Sequence, residues 1–313
     1  MYSRRSPVLT FGEGLVSVLP TGPVPIDEAD TFKMVVGGAE VNFALVLANE
    51  RVPVSWIGRV GDDAMGARVL DTLARSGVET RHAVRDSKRP TGLYLREWLL
   101  DGARRPYYYR SSAAGVGLCP EDWPGDAGPA ALIHLTGITA ALGVGPQAAI
   151  RRIRAWAAEH GVPVSFDPNY RSSLWSRDVA RETMLPMLAG LDLLLLGDEE
   201  AQLLFGTDDP EEVFNSASQA GVRLCVLKCG ARGAYIRDES GMLLHAPALP
   251  VRSVDPVGAG DAFNGGFVAS WVKGQTLGEA LEAGARYGAR LVEMVGDALV
   301  ATDAGQIDAL SAG

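Results

Sequence analysis

The feature that most constrains the fold of this chain is an alternation of short apolar runs with helical patterns. Runs such as "VPVSWIGRVG", "ALIHLTG" and "LDLLLLGD" are almost continuously apolar, which is typical of strands that are buried on both faces. Segments such as "AEVNFALVLANE" and "GPQAAIRRIRAWAAEHG" lie between the runs and read as helices. This order predicts an α/β fold with a mainly parallel central sheet and helices on both faces.

Two segments interrupt the alternation, at about residues 12–36 and about residues 91–112. The first contains "LVSVLPTGPVPIDEADTFKMVVGG" and reads as strand, turn and strand. The second contains "TGLYLREWLLDGARRPYYYRSS", in which an Asp-Gly turn separates two runs of strand formers. Neither segment has a helix to cover its second face. We therefore predict that both form a small β-sheet lid on a single domain that spans residues 1–313.

Alternate residues of a strand share a face, so the second segment presents a polar and aromatic surface. Tyr94 and Arg96 face one way on its first strand, and Tyr108 and Arg110 share a face on the return strand. Aromatic and guanidinium groups suit a polyhydroxylated or anionic ligand. An ordinary solvated hairpin is the alternative interpretation.

Composition and charge exclude several function classes. The net charge is −9 and no long basic run occurs, which argues against nucleic-acid binding. No run approaches the length of a membrane span, and the amino-terminal segment does not have the pattern of a signal peptide. The three cysteines form no CxxC pair and are expected to be reduced. We therefore expect a cytoplasmic protein that binds neither membranes nor nucleic acid.

The segment "VRSVDPVGAGDAFNGGF", residues 251–267, places small residues and a carboxylate at the start of an apolar helix. We expect unpaired main-chain N–H groups at Gly258, Ala259, Gly260 and Asp261, which together with the helix dipole suit an anion. A carboxylate at this place would repel a phosphate unless it accepts a proton from a hydroxyl that attacks phosphorus. Spacing alone leaves open whether Asp261 is that base or only a helix cap.

Other phosphate-binding motifs explain the sequence less well. The P-loop pattern GxxxxGK[ST] does not occur. "GVGPQA" at residues 143–148 fits a dinucleotide fingerprint, with Asp167 about 24 residues further on. However, the strand "ALIHLTG" ends several residues earlier, whereas the fingerprint should follow its strand directly.

The order of these motifs resembles the ribokinase-like (PfkB) family of carbohydrate kinases. "DPVGAGDAFNGGF" resembles the carboxyl-terminal signature of the family, and "VVGGAEVNFALVLANE" is similar to its amino-terminal glycine pair with an asparagine. "GRVGDDAMG" and "VLKCGARGAYI" resemble the segments between them. The resemblance extends over nearly the whole chain. It implies a ribokinase-like fold and a kinase that uses ATP and Mg²⁺.

Within the family, the sequence most resembles kinases of 2-keto-3-deoxygluconate. The resemblance implies phosphorylation of the terminal (6-) hydroxyl of this sugar acid, and it rests on "GEGLVSVLP", "YYYR", "FDPNYR" and "MVGDA". The substrate-binding residues that it implies are Gly37, Gly38, Asn42, Tyr94, Tyr108, Arg110, Arg171, Asp261 and Asp297.

The resemblance also implies a catalytic set and a nucleotide-binding set. Asp261 would be the base, and Gly258, Ala259 and Gly260 would form the anion hole. The residues that it places beside ATP are Asn169, Arg171, Lys228, Gly230, Gly233, Gly258 and Gly260. An acid substrate needs a cationic partner, and the guanidinium groups of Arg110 and Arg171 can each grip a carboxylate with two hydrogen bonds.

Two positions depart from the pattern of the family. Gly197 stands where the family often has an asparagine, although Glu200 is retained and would act on magnesium only through water. Pro256 and Val257 replace two threonines after Asp255. The resemblance leaves a potassium (K⁺) site near the retained Asp255 open, but the hydroxyls that would accompany the ion are missing, and we do not expect activation by potassium.

Two alternatives to the sugar-acid kinase stay open. Fructose or ribose could be the acceptor with the same chemistry, and a sugar- or nucleotide-binding regulator without turnover is favoured only by Gly197. Because the outer face of the β lid has no helix of its own chain to cover it, we also expect a homo-oligomer that associates through the lid.

Overall fold

The structure is a computed structural model that describes residues 6–22, 24–98, 104–238, 240–252 and 254–294. Thirteen strands are described in these ranges: β1 (Val8–Glu13), β2 (Leu15–Pro20), β3 (Phe32–Gly37), β4 (Val54–Gly61), β5 (Val84–Asp86), β6 (Gly92–Trp98), β7 (Arg104–Tyr109), β8 (Leu132–Thr136), β9 (Val164–Asp167), β10 (Leu193–Gly197), β11 (Leu224–Lys228), β12 (Ala234–Arg237) and β13 (Leu243–Ala246).

The same ranges contain nine α-helices, most of which follow a strand. They are α1 (Ala39–Asn49), α2 (Ala64–Arg75), α3 (Gly137–Ala141), α4 (Val144–His160), α5 (Arg177–Met184), α6 (Asp198–Phe205), α7 (Pro210–Gln219), α8 (Ala259–Val272) and α9 (Leu277–Val292).

The large sheet has the strand order β13-β12-β11-β10-β9-β8-β1-β4-β5 within the described residues. From β11 to β5 all neighbours are parallel, whereas β12 and β13 add an antiparallel edge. The prediction of a mainly parallel sheet with helices on both faces is confirmed. The antiparallel edge was not predicted, because its strands are short and lack a long apolar run.

The continuous apolar runs are explained by β10. Leu193 and Leu195 pack into one buried cluster, which contains Trp56 and Phe267, and Leu194 and Leu196 pack into the other, on the opposite face. A strand whose alternate side chains enter two cores must be apolar throughout. The helices that cover the two faces supply the rest of both clusters.

The small sheet has the order β3-β2-β6-β7, so both segments that interrupt the alternation contribute two strands to it. β2 pairs with β6 in parallel, and the other two pairings are antiparallel. The predicted Asp-Gly turn falls at residues 101–102, outside the described residues. Among the residues that the structure describes, no helix combines the length and the apolar character needed to cross a membrane.

Candidate active site

A cavity of about 430 Å³, here called the sheet cavity, lies between the small sheet and the carboxyl ends of the central strands. Tyr94, Arg96 and Tyr108 line it from the small sheet. From the large sheet and its loops come Asn169, Arg171 and Lys228, and the start of α8 contributes Gly258, Gly260 and Asp261. Ligands of open α/β sheets bind at this edge, outside the carboxyl ends of the strands.

The start of α8 has the geometry of an anion site. Gly258 is the N-cap with φ 82°, a left-handed conformation that favours glycine, and no side chain caps the helix. One of the predicted donors is corrected by the structure, because the N–H of Ala259 donates to the Pro256 carbonyl at 3.2 Å in a tight turn. The N–H groups of Gly260 and Asp261, in the first turn, retain the position that an anion requires.

Asp261 does not cap its helix, so the alternative interpretation of this residue is wrong. The Asn42 Nδ2 donates to its Oδ2 and the Asn169 Nδ2 donates to its Oδ1, both at 2.9 Å. The residue is 7% exposed. Burial raises the pKa of Asp261, as does the negative charge of Asp167, whereas the hydrogen bond from Asn42 opposes the rise.

Asn169 has a backbone that is unusual outside glycine. Its φ is 40°, and strained positions of this kind occur where the surrounding structure over-determines them, often at functional sites. Its N–H donates to Asp167 Oδ1 at 3.0 Å, which holds the turn after β9. The turn thereby aims the amide of Asn169 at Asp261.

Lys228, at the end of β11, lies in a hydrogen-bonded network that the sequence did not predict. Its Nζ donates to Asp167 Oδ2 and to Asn264 Oδ1, each at 3.1 Å, and Asn264 Nδ2 also donates to Asp167. Asp167 and Asn264 are buried. Lys228 therefore has a fixed direction, with its ammonium group near the start of α8.

A second cavity, here called the helix cavity, has a volume of about 750 Å³ and extends along α8 and α9. It shares Lys228, Pro256 and Gly260 with the sheet cavity. Gly230 and Gly233 line it, as do apolar residues such as Phe263 and Val292. The two cavities meet at residues 256–260, here called the glycine-rich turn. One ligand in each cavity would therefore bring two reacting groups together beside Asp261.

Comparison with known proteins identifies this arrangement. Residues 13–303 match the pfkB family carbohydrate kinase pattern. The chain belongs to the pfkB family of carbohydrate kinases. The 2-dehydro-3-deoxygluconokinase of Thermoproteus tenax is 34% identical over 93% of this chain and 89% of that protein. Fructokinase-1 of Zea mays is 30% identical over 87% of this chain and 85% of that protein.

The fold agrees with solved structures of pfkB proteins. The crystal structure of a PfkB protein from Polaromonas sp. JS666 is 30% identical and superposes with a TM-score of 0.86. The superposition covers 96% of this chain and 99% of the other. The prediction of a ribokinase-like fold in a carbohydrate kinase is therefore confirmed.

The predicted substrate residues of this pfkB chain fall into two groups. Tyr94, Tyr108 and Arg171 line the sheet cavity together with Asp261. Gly37, Gly38 and Arg110 are not among the described residues that line the cavity, and Asn42 contacts it through Asp261. Asp297 lies outside the described residues.

Gly38 is held in a conformation and a packing that suit glycine. Its φ is 125°, and a Cβ atom there would lie 2.6 Å from the Glu13 carbonyl oxygen. It is the N-cap of α1, the helix that carries Asn42. Gly37 precedes it as the last residue of β3, opposite Leu15. This glycine pair therefore fixes how α1 enters the site.

Arg110 has a buried partner that the sequence did not predict. Its Nη2 lies 2.7 Å from Glu13 Oε1, and the two side chains are 7% and 2% exposed. Burial raises the pKa of Glu13, and the charge of Arg110 opposes that rise. The Arg110 guanidinium therefore forms an ion pair at the end of β1 in this structure.

Glu200, the predicted magnesium contact, is held by main-chain donors. The Gly197 N–H donates to its Oε2 at 2.8 Å and the Tyr170 N–H to its Oε1 at 3.1 Å. Burial raises the pKa of Glu200, and the nearby charge of Asp167 raises it further. Within the described ranges, no group of three or more acidic, histidine or cysteine side chains is arranged to hold a metal ion.

Two further sets of buried contacts, those of Glu40 and those of Arg96, were not predicted. Glu40 accepts hydrogen bonds from the hydroxyls of Thr136 and Thr139, both at 2.7 Å, and burial raises its pKa to about 7. Arg96 forms a buried ion pair with Asp255. Neither signal could be found in sequence, because each depends on contacts between residues that are far apart along the chain.

Proposed function

We propose that this pfkB kinase transfers the terminal phosphoryl group of ATP to the 6-hydroxyl of 2-keto-3-deoxygluconate. The products are 2-keto-3-deoxy-6-phosphogluconate and ADP. The observation that carries the proposal is a buried Asp261 carboxylate at the start of α8, where the sheet cavity and the helix cavity meet. The Thermoproteus tenax relative, named for this substrate, supports the choice of acceptor.

Asp261 is the base in this mechanism. Its carboxylate accepts the proton of the attacking hydroxyl while that oxygen forms a bond to phosphorus. Asn42 and Asn169 each donate to one of its oxygens and hold the carboxylate in place. Burial moves the pKa of Asp261 upwards, towards neutral pH, and this makes the carboxylate a more effective proton acceptor.

The transferred group develops negative charge that the start of α8 can stabilise. The N–H groups of Gly260 and Asp261 point out of the first turn of the helix, and the helix dipole adds to their effect. Lys228 supplies a positive charge on the same side, because its Nζ lies close to Gly260. These groups are fixed before the reaction and need no rearrangement.

ATP would lie in the helix cavity, with its phosphates at the shared boundary of the two cavities. Gly230 and Gly233 line the part of the helix cavity that follows β11. Mg²⁺ bound to the nucleotide would neutralise phosphate charge and would keep several of its waters. Because both Glu200 oxygens accept main-chain N–H groups, Glu200 fits a role only through such a water.

The sugar acid would occupy the sheet cavity beneath Tyr94 and Tyr108. Arg171 lines this cavity and would meet the substrate carboxylate with its positive charge. Its Nη1 donates to the Tyr170 carbonyl at 2.9 Å, which positions the guanidinium. Arg110 would contribute after exchange of its bond with Glu13 for one with the ligand.

We also propose that the small sheet is a lid and that its outer face forms a homo-oligomer interface. Phe32, Met34, Tyr107 and Tyr109 are large, exposed and on the strands of this sheet. Pairing two such faces across a twofold axis would bury them in both copies. Light scattering at micromolar concentration tests this, and a monomer would contradict it. Since ATP is the donor, we place the protein in the cytoplasm.

The test of the proposed function is a coupled ADP-release assay with Mg-ATP and five acceptors. The panel contains 2-keto-3-deoxygluconate, its galactonate epimer, gluconate, fructose and ribose. Turnover confined to the keto-deoxy acids is the expected result. Turnover of fructose or ribose instead would keep Asp261 as the base and replace the acceptor, and no turnover with any acceptor would favour a binding protein.

A further inference from the structure

A buried ion pair joins the small sheet to Asp255, which directly precedes the glycine-rich turn of residues 256–260, from here on also called the catalytic turn. The Arg96 Nη2, on β6, lies 2.8 Å from Asp255 Oδ2, and the two side chains are only 2% and 1% exposed. Arg96 also lines the sheet cavity, as Asp261 does. The Arg96 guanidinium therefore lies between Asp255 and the sheet cavity.

Asp255 is the anchor of that turn. Its Oδ1 accepts the Val257 N–H at 3.2 Å, and its own N–H donates to the Val292 carbonyl at 3.0 Å. The next residues, 256–258, bend into the N-cap of α8. The carboxylate of Asp255 thus sets the position of the turn from which the anion-binding N–H groups follow.

The site does not fit the potassium ion that the family resemblance raised. A monovalent cation there would need oxygen ligands, and Asp255 would be the charged one. Its Oδ2 already faces a guanidinium, and its Oδ1 accepts a main-chain N–H. Pro256 and Val257 offer no hydroxyl oxygen. The positive charge beside Asp255 is supplied instead by the Arg96 guanidinium.

We propose that Arg96 is the built-in cation of the catalytic turn, a positioning residue that fixes Asp255 and makes phosphoryl transfer independent of monovalent cations. It acts through Asp255 and the turn, without a bond to the reacting atoms. Because Arg96 belongs to the small sheet, the turn is complete only when that sheet is seated on it. The rate measurements that test this inference rest on the proposed kinase function. Binding of Mg-ADP tests it independently of turnover.

The first test uses the unmodified protein. Turnover of the acceptor found in the panel, and binding of Mg-ADP by calorimetry, are measured in potassium, sodium and tetramethylammonium chloride at equal ionic strength. We expect both to change by less than about twofold. Activation by potassium of about tenfold or more would overturn the proposal. If no acceptor is turned over, the proposed function has failed, and the binding series still tests the role of Arg96.

The second test removes the cation. We expect Arg96→Met to lower kcat by about a hundredfold, because a small misplacement of the catalytic groups has an effect of this size. Guanidinium chloride, below the concentration that unfolds the protein, should restore part of the loss. Arg96→Lys keeps the charge without the planar guanidinium group, so its kcat should lie between those of the wild type and Arg96→Met.

The matched control is Arg85→Met, which breaks an exposed pair with Asp62 at 3.8 Å. It should leave kcat and the response to cations unchanged. A folded Arg96→Met variant with wild-type kcat would overturn the proposal. A folded variant whose loss no cation restores would overturn the role of the charge. If the variant does not fold, the cation series on the unmodified protein decides the question.

Discussion

Two aspartates, Asp255 and Asp261, flank the glycine-rich turn, and their carboxylates have partners of different kinds. Asp255 is paired with the Arg96 guanidinium at 2.8 Å. Asp261 receives hydrogen bonds from two neutral amides, those of Asn42 and Asn169. Both carboxylates are buried. The difference lies in what compensates the burial, a full positive charge at the first aspartate and amide dipoles at the second.

The consequence concerns the role that each carboxylate can have. At Asp255 a guanidinium in direct contact offsets the cost of burial, and the carboxylate accepts the Val257 N–H of the turn. At Asp261 the amides fix the geometry but compensate the burial less, and the pKa is raised. One turn is therefore flanked by a carboxylate that is paired with a guanidinium and by a carboxylate whose pKa is raised by burial.

The largest expected effect is on catalysis, at Asp261. Asp261→Asn keeps the shape and removes the proton acceptor, so we expect kcat to fall by about 10²–10⁴-fold. Binding of Mg-ADP should be retained. Steady-state kinetics and calorimetry measure the two quantities, with the exposed Asp62→Asn as the matched control. A variant with near-normal kcat would remove Asp261 from the role of base.

The second effect is on stability, at Asp255. Asp255→Asn removes one partner of a buried ion pair with Arg96, which should lower the free energy of unfolding by about 3–5 kcal/mol. Asp261→Asn should lie within about 1 kcal/mol of the wild type, because it removes a carboxylate that burial disfavours. Urea unfolding of both variants measures this. Equal destabilisation of the two would break the comparison.

The third effect is on the pH profile. The hydrogen bond from Asn42 lowers the pKa of Asp261, so Asn42→Ala should raise that pKa further. The acidic limb of kcat/KM, where the base becomes protonated, should then move to higher pH by about one unit. The exposed Asn215→Ala provides the control. A limb that stays in place while kcat falls would assign Asn42 to substrate contact alone.

The smallest effect is at Glu40, a third buried carboxylate near Asp261. Burial raises its pKa from 4.5 to about 7. A folded-state pKa above the unfolded value stabilises the protein fully below the unfolded pKa, and this contribution is lost as pH rises through about 7. Glu40→Gln removes the titration and keeps an acceptor for Thr136 and Thr139.

The difference in unfolding free energy between wild type and Glu40→Gln should therefore change between about pH 5 and pH 8. We expect the wild type to lose roughly 1–3 kcal/mol relative to the variant over this range. Urea unfolding at several pH values measures it. Parallel profiles for the two proteins would show that Glu40 does not titrate in this range.

The central sheet could be predicted because its signal is local. A run such as "LDLLLLGD" reports burial on both faces without knowledge of its neighbours. Helix α7 was missed although Asp209 caps it and Pro210 follows as its first residue. Its sequence "PEEVFNSASQ" is mostly polar, so that the cap was its clearest signal.

The features of the site also divide into those with a local signal in the sequence and those that depend on distant residues. The start of α8 and Asp261 could be predicted, because a helix beginning and its donors are set by adjacent residues. The partners of Asp261 could not be deduced, because Asn42 and Asn169 are 219 and 92 residues away in sequence. The pairings of Arg96 and Arg110 are also long-range, and periodicity shows only which face of a strand a side chain takes.

The boundary between the two cavities has a consequence for how acceptor preference can change. The small sheet, built from β3, β2, β6 and β7, covers the sheet cavity, and Lys228 and Gly260 lie at its boundary with the helix cavity. The cover of the sheet cavity therefore arises from two insertions in an otherwise regular alternation of strands and helices. Exchange of these insertions between related kinases offers a modular route to new acceptors, provided that an arginine at position 96 is kept to meet Asp255.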